Sequence, residues 1–98
     1  MSPKGEPGPG PVGLEVAAII RERAGRLDVK QADIAQATGL NKTRVSRVCR
    51  GTYVSTVDEL ALIARALEMD AGRVLDDAIK VAAQHAAISG GGGDFGDS

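Results

Sequence analysis

The chain has 98 residues, enough for one small domain and too few for two with a linker. Only 2% of them are aromatic, with no Trp, so a core must be built from Ala, Val, Leu and Ile. The single cysteine, Cys49, excludes an internal disulfide and a structural zinc site, and a formal net charge of −1 gives the whole chain no pull on a polyanion.

Strands draw on aromatic and β-branched residues in alternation, and no such run occurs, so an all-α fold is expected. No apolar stretch approaches the ~20 residues that span a bilayer, and the first residues lack the apolar segment of a signal peptide. A soluble, cytoplasmic protein is the expectation. The net charge hides a segregation. Between Arg21 and Thr56 eight basic residues outnumber three acidic ones, a local charge of +5, whereas from Val57 to Ser98 eight acids outnumber three bases, −5. A polyanion responds to the local field rather than the total.

Residues 1–13 hold all four prolines, and this composition predicts a disordered arm. The folded domain is expected over 14–88, and a flexible tail, glycine-rich and then acidic, over 89–98. Five helices are predicted between them. The first, about Leu14 to Arg26, sets Val16, Ala17, Ile20, Ala24 and Leu27 on one face. The second, about Gln31 to Thr38, turns Ile34, Ala35 and Ala37 inward and stops at Gly39. The third runs from about Lys42 to Arg50, with Asn41 as N-cap, Leu40 and Val45 as a hydrophobic staple, and Gly51 at its end. The fourth, about Val57 to Leu67, opens with Thr56-Val57-Asp58-Glu59, a capping-box pattern, and carries Val57, Leu60, Ala61, Ala64 and Leu67 as its apolar stripe. Asp70 caps a fifth helix to about Ala87, striped by Val74, Leu75, Ala78, Ile79, Ala82 and Ala86.

The third helix carries the chemistry. At about 100° per residue, Val45, Val48 and Cys49 fall on one side, and Thr43, Ser46, Arg47 and Arg50 on the other. Lys42 and Arg44 flank the polar side, and no acidic residue interrupts Lys42 to Arg50. An α-helix fits the major groove of DNA, where guanine offers two acceptors to an arginine and thymine offers a methyl to threonine. The second helix would lie across that groove with its first amides and Gln31 toward a phosphate.

These residues resemble a known family. Gln31 to Asn41 is similar to its pattern of Gln, a Leu-Ala-like pair, Gly, an apolar residue and a cap. Val45-Ser46-Arg47-Val48 followed by Arg50-Gly51 resembles its Val-Ser-Arg-Ile and Arg/Asn-Gly ending. Leu60 to Leu67 resembles the helix that follows. The family is the phage-repressor or Cro-like helix-turn-helix group, often called XRE, and the likeness covers about Ile20 to Leu75. It implies a compact, lambda-repressor-like five-helix domain with the helix-turn-helix at the second and third helices. It implies base reading by Lys42, Thr43 and Arg47 with help from Arg44, and backbone phosphate contact by Gln31, Asn41 and Arg50; Ser46, on the same polar side of the helix, is expected to meet phosphate with them. Many members pair a Glu at the position of Cys49 with an Arg of the first helix. Here that pair cannot form, which leaves Arg23 without its family partner.

Plainer readings apply elsewhere. Cys49 is an inert core thiol, the sequence offers no His/Cys cluster that would make His85 a metal ligand, and Asp76-Asp77 form a solvated face. No cofactor, metal or small-molecule substrate is indicated, and no enzyme activity. The functional expectation is a double-stranded DNA-binding transcriptional regulator, of phage or bacterial repressor type, acting by occupancy in the cytoplasm at the nucleoid. The chain has no room for the peptidase or ligand-sensing domain of longer relatives, and is either a small regulator or one domain of a larger one. A homodimer through the fifth helix, using Ile79, Ala82, Ala83 and Ala86, is a further expectation, with folding back onto the first helix as its rival. The alternative function is a protein-interaction module on the same fold, such as an antitoxin.

Overall fold

The computed structural model describes residues 9–89 and contains α1 (Pro11–Leu27), α2 (Gln31–Thr38), α3 (Lys42–Arg50), α4 (Val57–Ala66) and α5 (Ala71–Ser89). No strand occurs among the described residues, and the architecture is all-α. The expectations for 1–8 and 90–98 lie outside the described residues.

Helix ends follow local polar chemistry. Asn41 Oδ1 accepts from the amides of Thr43 (2.7 Å) and Arg44 (3.3 Å). At α4 the capping box closes both ways: Thr56 Oγ1 accepts from the Glu59 amide (3.0 Å) and Glu59 Oε1 from the Thr56 amide (2.9 Å). Asp70 Oδ1 receives the Gly72 amide at 2.9 Å at the start of α5. Each cap supplies acceptors for first-turn amides that have no partner within the helix. The start of α1 differs from expectation. It begins at Pro11, not Leu14, because proline's fixed φ and missing N–H suit a first helical position. Helix α5 likewise runs through Ser89, past its expected end.

The core gathers Val16 and Ile20 from α1, Ile34 from α2, Val45, Val48 and Cys49 from α3, Ile63 of α4 with Leu67 just beyond it, and Val74 and Ala78 from α5. Ile20, Val45, Ile63 and Leu67 are fully buried. Each such aliphatic side chain contributes roughly 1.5–3 kcal/mol relative to exposure. In α4 the apolar stripe is rotated from the expected one. Glu59, Ile63, Ala64 and Leu67 face inward, while Val57 is 83% exposed and Ala61 is exposed. Ala37 of α2 is exposed too, against expectation, and only Ile34 of that helix is buried.

Helix α5 folds back along α1. Val74, Ala78 and Ala82 of α5 are buried, and His85 Nδ1 lies 3.6 Å from Glu15 Oε2 of α1. Ala82, expected to meet a second chain, is therefore spent inside the monomer. Ala83 is exposed, and the side chain of Ala86 lies outside the described residues. Leu75 and Ile79, counted with the buried stripe from the sequence, remain 42% and 48% exposed.

Candidate nucleic-acid interface

The joint between α2 and α3 is three residues long, Gly39-Leu40-Asn41. Gly39 sits at φ +80°, a left-handed conformation that a Cβ would strain. Thr38 Oγ1 donates to the Ile34 carbonyl at 2.7 Å and accepts from the Leu40 amide at 3.2 Å, so the last turn of α2 is tied to the linker. Leu40 is half-buried against the core that holds Val45. The angle between α2 and α3 is thus set by a left-handed glycine, a threonine clasp and an anchored leucine.

At the far end of α3, Gly51 adopts φ +77°, and a Cβ there would stand 3.2 Å from Leu14 Cδ2. Arg21 Nη1 donates to the Cys49 carbonyl at 2.7 Å, which satisfies an end-of-helix acceptor with a cation. The inward side of α3 is wholly apolar, with Val45, Val48 and Cys49 all buried. Burial pushes the Cys49 thiol above its ordinary pKa, and the nearby Arg21 charge opposes that shift only in part. A thiol held neutral in a core is an unreactive one.

The outward side brings together every residue singled out from the sequence. Gln31 of α2 shares one shallow concavity with Lys42, Thr43, Ser46 and Arg50. Asn41, Thr43, Arg44 and Arg47 line a second, together with Gly39 and Leu40. Thr43 belongs to both, so the two concavities adjoin along α3, and neither has an acidic lining residue. Lys42, Thr43, Arg47 and Arg50 are exposed, while Gln31, Arg44 and Ser46 are half-buried. Arg50 Nη2 donates to Ser46 Oγ at 2.9 Å, which aligns that pair along the helix surface.

Arg44 is held differently from the others. Its Nη1 pairs with Glu59 Oε2 of α4, and its guanidinium stacks over the Tyr53 ring, 4.3 Å from the centroid. Tyr53 did not stand out in the sequence, and Glu59 did so only as a cap. A capping-box glutamate gives no hint of a second partner fifteen residues back. Arg23, left without a partner in the sequence reading, also has a place: Nε and Nη2 donate to the carbonyls of Leu67 (3.0 Å) and Glu68 (3.1 Å). It closes the end of α4 rather than pairing with α3.

A family model described as a helix-turn-helix domain matches residues 15–76, more than half of the chain. The chain belongs to the helix-turn-helix domain family. No curated protein and no solved structure matches it. The helix-turn-helix match contains all of α2, α3 and α4, most of α1 and the start of α5, so every residue of both concavities falls within it. The family points to DNA binding and regulation, and agrees with the Cro-like likeness of the sequence. Among the described residues no cluster of His, Cys, Asp and Glu gathers to hold a metal, and no helix is long and apolar enough to cross a membrane.

Proposed function

We propose that this helix-turn-helix chain is a sequence-specific regulator of transcription that binds double-stranded DNA, and that it acts as a repressor of phage or bacterial type by occupying an operator at the nucleoid. The observation that carries the reading is the pair of adjoining concavities on the outer side of α2 and α3, lined by donors and cations without an acid. In this reading α3 enters the major groove. Thr43 and Arg47, with Lys42 at the helix start, meet base edges, and Arg44 lends help from the edge of the site. Gln31, Asn41, Ser46 and Arg50 meet phosphates on either side and fix the register, which carries no sequence information of its own.

The proposal includes a homodimer. Two copies of a small reading head bind paired half-sites about one helical turn apart and gain specificity that one α3 lacks. The surface available for it is the outer side of α5, where Leu75 and Ile79 are exposed. Val54, Val57 and Leu75 line one apolar groove with Val12, Tyr53 and Leu60.

Selection of bound duplexes from a random pool, followed by titration of the selected sequence at several salt concentrations, tests the reading. A defined motif should emerge, with log K falling by about 0.9 per neutralised phosphate for each unit of log salt. Selection without a motif, or an affinity indifferent to salt, would overturn it and favour a protein-binding module on the same fold.

A further inference from the structure

We infer that Glu59, which does not face the outer side of α3, sets the selectivity of the interface by holding Arg44 out of sequence-blind phosphate contact. The inference rests on the DNA-binding reading above and concerns how one of its cations is used.

Arg44 stands in the first turn of α3, at the border of the concavity that also holds Asn41, Thr43 and Arg47. A free arginine there would reach any phosphate, whatever the base beside it. Here its guanidinium is paired with Glu59 and covered on one face by Tyr53. The carboxylate is the fixed member of the pair: the Glu59 side chain is 10% exposed against 39% for Arg44. Its other oxygen is bound to the Thr56 amide, and its own amide is bound to Thr56 Oγ1, so the start of α4 dictates where the charge sits. By contrast, Lys42, Arg47 and Arg50 have no carboxylate partner among the described residues.

The energetics follow from burial. The Glu59 side chain is only 10% exposed, and stripping one member from a pair this deep is strongly unfavourable, because it leaves the other charge uncompensated. A backbone phosphate must therefore compete with Glu59 for Arg44 and leave a buried anion unpaired when it wins. Random DNA, which offers phosphates but no matched bases, cannot recover that cost. An operator that seats Thr43 and Arg47 on matching bases draws on contacts that do not require Arg44 to leave. Glu59 is a positioning residue by this argument, and Tyr53 assists it by holding the guanidinium plane.

The test compares the full chain with Glu59→Gln on random duplex and on the selected operator over a series of salt concentrations. The glutamine keeps an oxygen for the Thr56 amide and replaces the oxygen that accepts from Arg44 by an uncharged NH2 donor. Random duplex should bind more tightly, the slope of log K against log salt should steepen by about 0.9, and the ratio of operator to random affinity should fall. The double variant Glu59→Gln with Arg44→Gln should lose the added slope, since the released cation is gone. An unchanged slope and ratio in Glu59→Gln, or weaker binding to random duplex, would overturn the inference. The DNA-binding reading fails separately, if the unmodified chain shows no salt-dependent binding to any duplex. Thermal unfolding identifies a temperature at which both forms are folded. Should Glu59→Gln not fold, nitrogen-detected NMR of the Arg44 guanidinium in the unmodified chain decides: slowed rotation that persists when random duplex is added supports the inference, and a guanidinium released or moved onto phosphate contradicts it.

Discussion

Helices α3 and α5 both bury one apolar stripe, but they leave different surfaces behind. The nine residues of α3 put Val45, Val48 and Cys49 inside, and everything outside is a donor or a cation. The nineteen residues of α5 put Val74, Ala78 and Ala82 inside, yet Leu75 and Ile79 remain outside among Asp76, Asp77 and Lys80. Exposed donors lose little in water and gain when they meet acceptors in a groove. Exposed leucine and isoleucine gain only by being covered. The difference separates a face suited to nucleic acid from one suited to protein. It also shows why helix amphipathicity alone does not locate a function: the chemistry of the half that is not core decides.

The largest effect is expected in the core beneath these surfaces. Ile63 is fully buried and Val57 is 83% exposed, although the sequence alone favours Val57 as the inward residue. Ile63→Ala should cost about 2–5 kcal/mol of folding stability in denaturant titration, and Val57→Ala less than about 0.5 kcal/mol. Equal losses would mean that α4 is rotated from its described position, which would also separate Glu59 from Arg44. Next in size is the cap that starts α3. Asn41→Ala should destabilise by about 0.5–2 kcal/mol and fray the first turn, seen as faster amide exchange at Thr43 and Arg44. No change in that exchange would remove Asn41 as the element that fixes the first turn of α3.

The smallest effect on folding is expected at the outer side of α5. Leu75→Ser with Ile79→Ser should alter monomer stability by under about 0.5 kcal/mol per site, since neither is in the core. The pair should nonetheless lower the mass seen by light scattering and weaken binding to a paired site more than to a single half-site. A mass that is the same before and after contradicts a dimer through this surface.

How much of this was legible depended on the range of the interaction. The starts of α3, α4 and α5 were readable because Asn41, Thr56 with Glu59, and Asp70 act on amides two or three residues away. The outer face of α3 was readable for the same reason, since one helix places Thr43, Ser46, Arg47 and Arg50 by itself. The orientation of α4 was not. Its sequence carries two overlapping apolar stripes, and only packing of α4 against α2 and α5 selects the one with Ile63. The second partner of Glu59 and the carbonyl targets of Arg21 and Arg23 were hidden for the same reason. Each joins residues that only the tertiary fold brings together. In α5 the periodicity could not distinguish Val74 and Ala78, which are buried, from Leu75 and Ile79, which lie one position further on and outside.

In the proposed complex the outer side of α3 reads bases while Gln31 and its neighbours hold the backbone. The most direct measurement is the affinity of Arg47→Ala and of Gln31→Ala for the selected operator, for its single-base variants and for random duplex. Arg47→Ala should lose about 1–3 kcal/mol at the operator, relax preference at one base pair, and lose less on random DNA. Gln31→Ala should weaken all of these by similar factors, because a phosphate is the same beside every base. If Arg47→Ala instead lowers every affinity equally, the arginine is a phosphate clamp, and the assignment of base reading to this side of α3 is contradicted.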